Sequence, residues 1–75
     1  MTVIPFGNLT EILQTVTISQ QGVNNTEGLK NYLMARYPAL SSMTFVLAVN
    51  NRIVNDTVVL AENDTIALLP PFSGG

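Results

Sequence analysis

The chain contains no cysteine, no histidine and no tryptophan, and its only basic side chains are Lys30, Arg36 and Arg52. Without cysteine there is no disulfide to staple the fold and no thiolate to serve as nucleophile or soft metal ligand. Without histidine the usual general base and the commonest metal ligand are missing. Three basic residues fall far short of a nucleic-acid footprint or a patch for anionic membranes. Charge of either sign is scarce, at 11% of residues with a net charge of -2. A surface so poor in charge is either covered in part by a partner or solvated by the plentiful Asn, Thr, Ser and Gln. No stretch has the length of a membrane span, and no basic segment precedes an apolar one in the manner of a secretory signal. These absences predict a cytoplasmic protein that contacts neither nucleic acid nor membrane. Glycines at 7, 22, 28, 74 and 75 fit no phosphate-binding loop. Glu11, Glu27, Asp56, Glu62 and Asp64 are isolated in sequence and predict solvated or turn positions, with neither a metal site nor an acid/base pair.

What remains is hydrophobic residues, 47% of a 75-residue chain, enough for the core of one small domain. Thr2 to Phe6 reads as a first strand, with Pro5 forcing it to be bulged, short or unpaired on one side. Leu9 to Leu13 can make a single helical turn, capped by Asn8 or Thr10. Thr15 to Ser19 alternates, with Val16 and Ile18 on one face, as in a half-buried strand. Gln20 to Asn25 is a loop. Thr26 reads as the N-cap of the main helix, with Glu27 and Arg36 at the poles the macrodipole favours and Leu29, Tyr32, Leu33 and Tyr37 on one face. Pro38 limits that helix, and Ala39 to Ser42 is a connector. Thr44 to Asn50 predicts an interior strand, with Phe45, Leu47 and Val49 on one face and Val46 and Ala48 on the other. Asn50-Asn51 signals a tight turn into a short edge strand, Arg52 to Val54. After a turn at Asn55-Asp56, an extended stretch from Thr57 to Leu60 and a turn at Glu62 to Asp64, Thr65 to Leu69 forms the last strand. This order predicts an α+β domain over residues 1–69, a mixed four- to five-stranded sheet with one main helix packed on one face. At this length that is the ubiquitin-like β-grasp arrangement, with the last strand beside the first in the middle of the sheet.

Pro70 and Pro71 then stop the strand, because neither can donate to a sheet ladder and each fixes its own φ. They predict a short stiff spacer that lifts a protruding tail, residues 70–75, off the sheet. Phe72, Ser73, Gly74 and Gly75 follow. Glycine leaves both faces of the backbone open to an enclosing cleft, and a carboxylate on Gly75 is the one reactive candidate in the chain.

The run Glu62-Asn63-Asp64-Thr65-Ile66-Ala67-Leu68-Leu69-Pro70-Pro71-Phe72-Ser73-Gly74-Gly75, with Ala48-Val49-Asn50 before it, resembles the small, sulfur-carrier subunits of molybdopterin synthase. Phe6-Gly7-Asn8-Leu9, Glu11-Ile12-Leu13 and the helix from Thr26 are similar to the same family. Gly-Gly ends occur across ubiquitin-like carriers, whereas Leu-Pro-Pro-Phe-Ser is typical of this branch; Pro5 and Gly28 are less usual for it. The resemblance implies a chain with no permanently bound cofactor that is not an enzyme alone. It implies that an ATP-dependent, E1-like enzyme adenylates Gly75, that a sulfur donor protein displaces AMP, and that the resulting thiocarboxylate enters the large catalytic subunit of a two-plus-two assembly. Sulfur would pass there to cyclic pyranopterin monophosphate. By position, Gly75 carries the sulfur, Gly74 threads, Phe72 anchors, and Pro70, Pro71 and Ser73 complete the partner-binding tail; an apolar patch near the last strand, its residues unassigned, meets the large subunit. A sulfur carrier of another pathway, such as thiamine or tRNA thiolation, a ubiquitin-like protein modifier, and a plain binding module with an idle Gly-Gly remain as alternatives.

Overall fold

In the computed structural model, which describes residues 1–19 and 22–71, the apolar segments pair into one five-stranded sheet. The strands are β1 (Thr2–Pro5), β2 (Val16–Thr17), β3 (Val46–Val49), β4 (Arg52–Val54) and β5 (Thr65–Leu69), and the helix α1 spans Thr26–Arg36. Across the sheet the order is β2-β1-β5-β3-β4. β1 and β5 run parallel, while the other neighbours are antiparallel. β5, with its unbroken run Ile66-Ala67-Leu68-Leu69, therefore occupies the middle, paired along both edges. This is the expected β-grasp arrangement, with five strands.

Register explains the core. Pro5, Leu68, Leu47 and Val54 form one cross-strand row, and Val3, Ile66 and Val49 form the next. From these rows Val3, Leu47, Ile66 and Leu68 pack with Leu29 and Leu33 of α1. Among the described residues, seven positions outside the strands and α1 close the core: Met1, Leu9, Leu13, Ile18, Val23, Leu40 and Leu60 are all buried. Pro5 causes no bulge. Met1 and Ile18 exchange hydrogen bonds across the β2 side, and the Thr2 and Phe6 amides donate towards the β5 side. By alternation the Pro5 nitrogen faces the β2 side, beyond Val16 where β2 begins, so no donor is missed there.

Local chemistry departs from expectation in three places. The N-cap of α1 is Asn25, not Thr26: its Oδ1 accepts from the Gly28 amide at 2.7 Å. Thr26 is buried instead, and its Oγ1 accepts from the Val58 amide at 3.0 Å, tying the 56–58 segment to the helix start. The helical turn expected near Leu9 is a 3₁₀ turn, Gly7–Glu11, whose cap position is Phe6, with no side-chain cap from Asn8 or Thr10. Thr10 Oγ1 instead donates to the Gly7 carbonyl at 2.8 Å. The 38–42 connector is also a 3₁₀ turn, Pro38–Ser42, with Pro38 in its opening turn and Leu40 buried. The Asn50-Asn51 turn forms as expected, with φ of 50° and 71°. Such values are easiest for Asn and Gly and suit a two-residue hairpin.

Candidate functional site

The tail springs from the end of the central strand. Leu68 is fully buried, and its carbonyl accepts from the Phe6 amide at 3.0 Å. Leu69, paired with Val46, ends β5. Pro70 follows, half-buried, and Pro71 is exposed. Gly7, with φ of +60°, lies so close to Pro70 that a Cβ built on it would stand 3.0 Å from the ring Cγ. Pro70 ends the strand as expected, and its ring in addition lies against Gly7 at the start of the 7–11 turn. Of the predicted site residues, Pro70 and Pro71 are placed by the structure. Phe72, Ser73, Gly74 and Gly75 lie outside the described residues.

The sheet face opposite α1 carries a second set of residues. Ile4, Ala67, Ala48 and Ile53 form a row across four strands, and Leu69 and Val46 form a shorter row beside it. None of the six is charged. Ile53 is 59% exposed, and Phe6, 46% exposed, continues the alternation of β1 onto the same side. An apolar patch near the last strand was expected without named residues, and register supplies these six. The signal was present in Val46 and Ala48: a strand apolar on both faces needs cover on both.

The described body offers little else. Among the described residues no group of three or more His, Cys, Asp or Glu could hold a metal. Glu27 and Asp56, expected to be isolated, line a hollow of about 250 Å³ with Lys30. Another hollow, of about 360 Å³, lies between β2 and α1 and is lined by Tyr32, Arg36 and Tyr37 among others. Asp64 is structural. Its carboxylate accepts from the Ala61 amide at 2.7 Å and from Asn50 Nδ2 at 2.9 Å. These bonds, the Ala61 amide foremost, hold its pKa below the usual carboxylate value. Asn50 Oδ1 in turn accepts from the Thr65 amide at 3.0 Å, so the pair fixes where β5 begins.

Comparison with known proteins agrees with this layout. The model of the ThiS family matches residues 3–75. A molybdopterin synthase sulfur carrier subunit from Chlamydomonas reinhardtii is 40% identical over 55 residues, spanning 68% of this chain and 66% of that protein. A chain in the complex of subunits 1 and 2 of molybdopterin-converting factor from Helicobacter pylori superposes with a TM-score of 0.77 at 25% identity, covering 99% of this chain and 96% of the other.

Proposed function

The chain belongs to the ThiS family, and on that premise we propose that it is the sulfur-carrier subunit of a molybdopterin synthase. The observation that carries the reading is the placement of the tail. It leaves the central strand beside an uncharged sheet face, on a body with no cysteine or histidine. The chemistry is then assigned to the main chain, at Gly75. A terminal carboxylate, with a pKa of about 3.3–3.7, is inert at neutral pH and must be activated. An ATP-dependent, E1-like partner makes the acyl-adenylate, and a sulfur donor protein displaces AMP to leave a thiocarboxylate. The carrier docks on the large catalytic subunit through the face built from Ile4, Val46, Ala48, Ile53, Ala67 and Leu69. Because Leu69 belongs to this face and Pro70 follows it, a partner seated there is positioned to receive the tail. Phe72 anchors the tail in the partner's groove, and Gly74 and Gly75 bring the sulfur to cyclic pyranopterin monophosphate. The protein that supplies the second half of the site is supported by the Helicobacter pylori relative, which was solved as a complex of two subunits.

Intact-mass measurement after incubation with ATP, a sulfur source and the activating enzyme tests this reading. The expected result is a gain equal to one oxygen exchanged for sulfur, located at Gly75, followed by loss of that sulfur on addition of the large subunit and the pterin substrate. An unchanged mass, with the enzyme active on another carrier, overturns the carrier chemistry. Sulfur gained but refused by the molybdopterin synthase large subunit moves the chain to another thiolation pathway. A ladder of conjugates on denaturing gels identifies a protein modifier.

A further inference from the structure

Gly7 lies in the left-handed region, at φ +60°, at the start of the 3₁₀ turn that follows β1. Its missing side chain faces Pro70: a Cβ there would stand 3.0 Å from Cγ, 3.4 Å from Cδ and 4.0 Å from Cβ of the proline ring. One residue before Gly7 and two before Pro70 the backbone is pinned, since the Phe6 amide donates to the Leu68 carbonyl at 3.0 Å. A hydrogen bond and a close ring contact thus bracket the point where the chain leaves the sheet. Proline fixes φ at that point, so the seat of the ring sets the direction in which the chain departs.

We propose that Gly7 is a positioning residue for the tail: its bare backbone is the seat on which Pro70 rests, and that seat aims the C-terminal glycines. The proposal rests on the sulfur-carrier reading and names a residue on which that reading depends. Misplacement by about 1 Å at a reacting group can cost up to about a hundredfold in rate. Any L side chain at position 7 acts in two ways, by straining the backbone at positive φ and by pushing the proline ring, and the two are separable. Pro70→Ala deletes Cγ and Cδ, the ring atoms closest to the added Cβ, and leaves the strain at position 7 unchanged.

The test uses Gly7→Ala, Pro70→Ala and the double variant, each prepared as a C-terminal thiocarboxylate by intein release with sulfide. Single-turnover sulfur transfer and Kd are measured with the large subunit, and Tm is measured on the free chain. Gly7→Ala is expected to slow transfer at least about tenfold, with the loss falling on the rate more than on Kd, and to lower Tm. Pro70→Ala alone is expected to slow transfer about two- to threefold through lost tail stiffness. The double variant returns to the rate of Pro70→Ala while its Tm stays as low as that of Gly7→Ala. Recovery of rate without recovery of Tm is a readout that a merely structural role for Gly7 would not produce. A double variant as slow as Gly7→Ala, or Gly7→Ala at the wild-type rate, overturns the proposal. Wild-type chain that transfers no sulfur to any large subunit is a different outcome: it overturns the carrier reading, and the role assigned to Gly7 falls with it.

Discussion

At the scale of single residues, two polar contacts fix the backbone where an element begins, and each makes a distinct prediction. Asn25 caps α1 through the Gly28 amide, and a Cβ on Gly28 would sit 3.3 Å from the same Asn25 Oδ1. Glycine in the first turn thus makes room for the cap. Asn25→Ala is expected to cost about 1 kcal/mol. Gly28→Ala should gain close to the full helix-propensity difference, about 1 kcal/mol, in the Asn25→Ala background, and markedly less in the wild type, where it crowds the cap. Urea unfolding of the four chains measures this coupling. The second contact is Asp64 with Ala61 and Asn50. Its pKa is lowered in the folded chain. Its contribution to stability is therefore present above the unfolded carboxyl pKa and is lost as pH falls through the lower, folded value. Thermal melts from pH 7 to pH 2 are expected to fall less steeply below about pH 4 for Asp64→Asn than for wild type. Melts of identical slope would show that the carboxylate carries no pH-linked stability.

At the scale of elements, what was legible and what was not follow from how far each signal reaches along the chain. α1, β3 and β5 announce themselves because periodicity and apolar runs are local. Pro5 was legible only as a set of options, since the sequence could not say that β2 stops short of it. The cap of α1 was assigned one residue late because Asn25 and Thr26 are both good caps. What decided between them lies some thirty residues on, where the Val58 amide takes the Thr26 hydroxyl. Val23, Leu40 and Leu60 lie in segments that read as loop, connector and extended chain, yet all three are buried. No periodicity marks a single apolar residue in a turn; only the closed fold shows that the core ends there. This distinguishes two views of the Pro38–Ser42 turn. If Leu40 is a core residue, Leu40→Ala costs about 2–5 kcal/mol, the same range as Leu33→Ala. A connector that merely spanned the gap would lose under about 0.5 kcal/mol. Chemical denaturation of both variants discriminates.

At the scale of the whole molecule, the scarcity of charge acquires a location. The sequence left open whether a partner or polar side chains accounted for it. Both have a place here: Asn, Thr and Ser fill much of the exposed turns, while the face opposite α1 is lined by Ile4, Val46, Ala48, Ile53, Ala67 and Leu69. The proposed C-terminal part of the site is read from consecutive residues, of which Phe72 to Gly75 lie outside the described residues. The residues of the apolar face could not be read in that way, because the six come from four strands and meet only through register. As the proposed docking surface for the large subunit, it makes a prediction separable from folding. Ile53 is 59% exposed on the edge strand β4, where natural sheets accept lysine. Ile53→Lys is therefore expected to change stability by no more than about 1 kcal/mol while weakening binding of the large subunit at least about tenfold, as burial of an unpaired charge in an apolar interface requires. Val59 supplies the control. It is 81% exposed but lies by the start of α1, bridged to Asn25 and absent from the open-face rows. Val59→Lys should leave Kd unchanged. Titration calorimetry of both variants against the large subunit decides the matter. If Ile53→Lys binds as well as wild type, the partner grips the tail alone and the apolar face serves another purpose; if only Ile53→Lys weakens, the sheet and the tail are one continuous site.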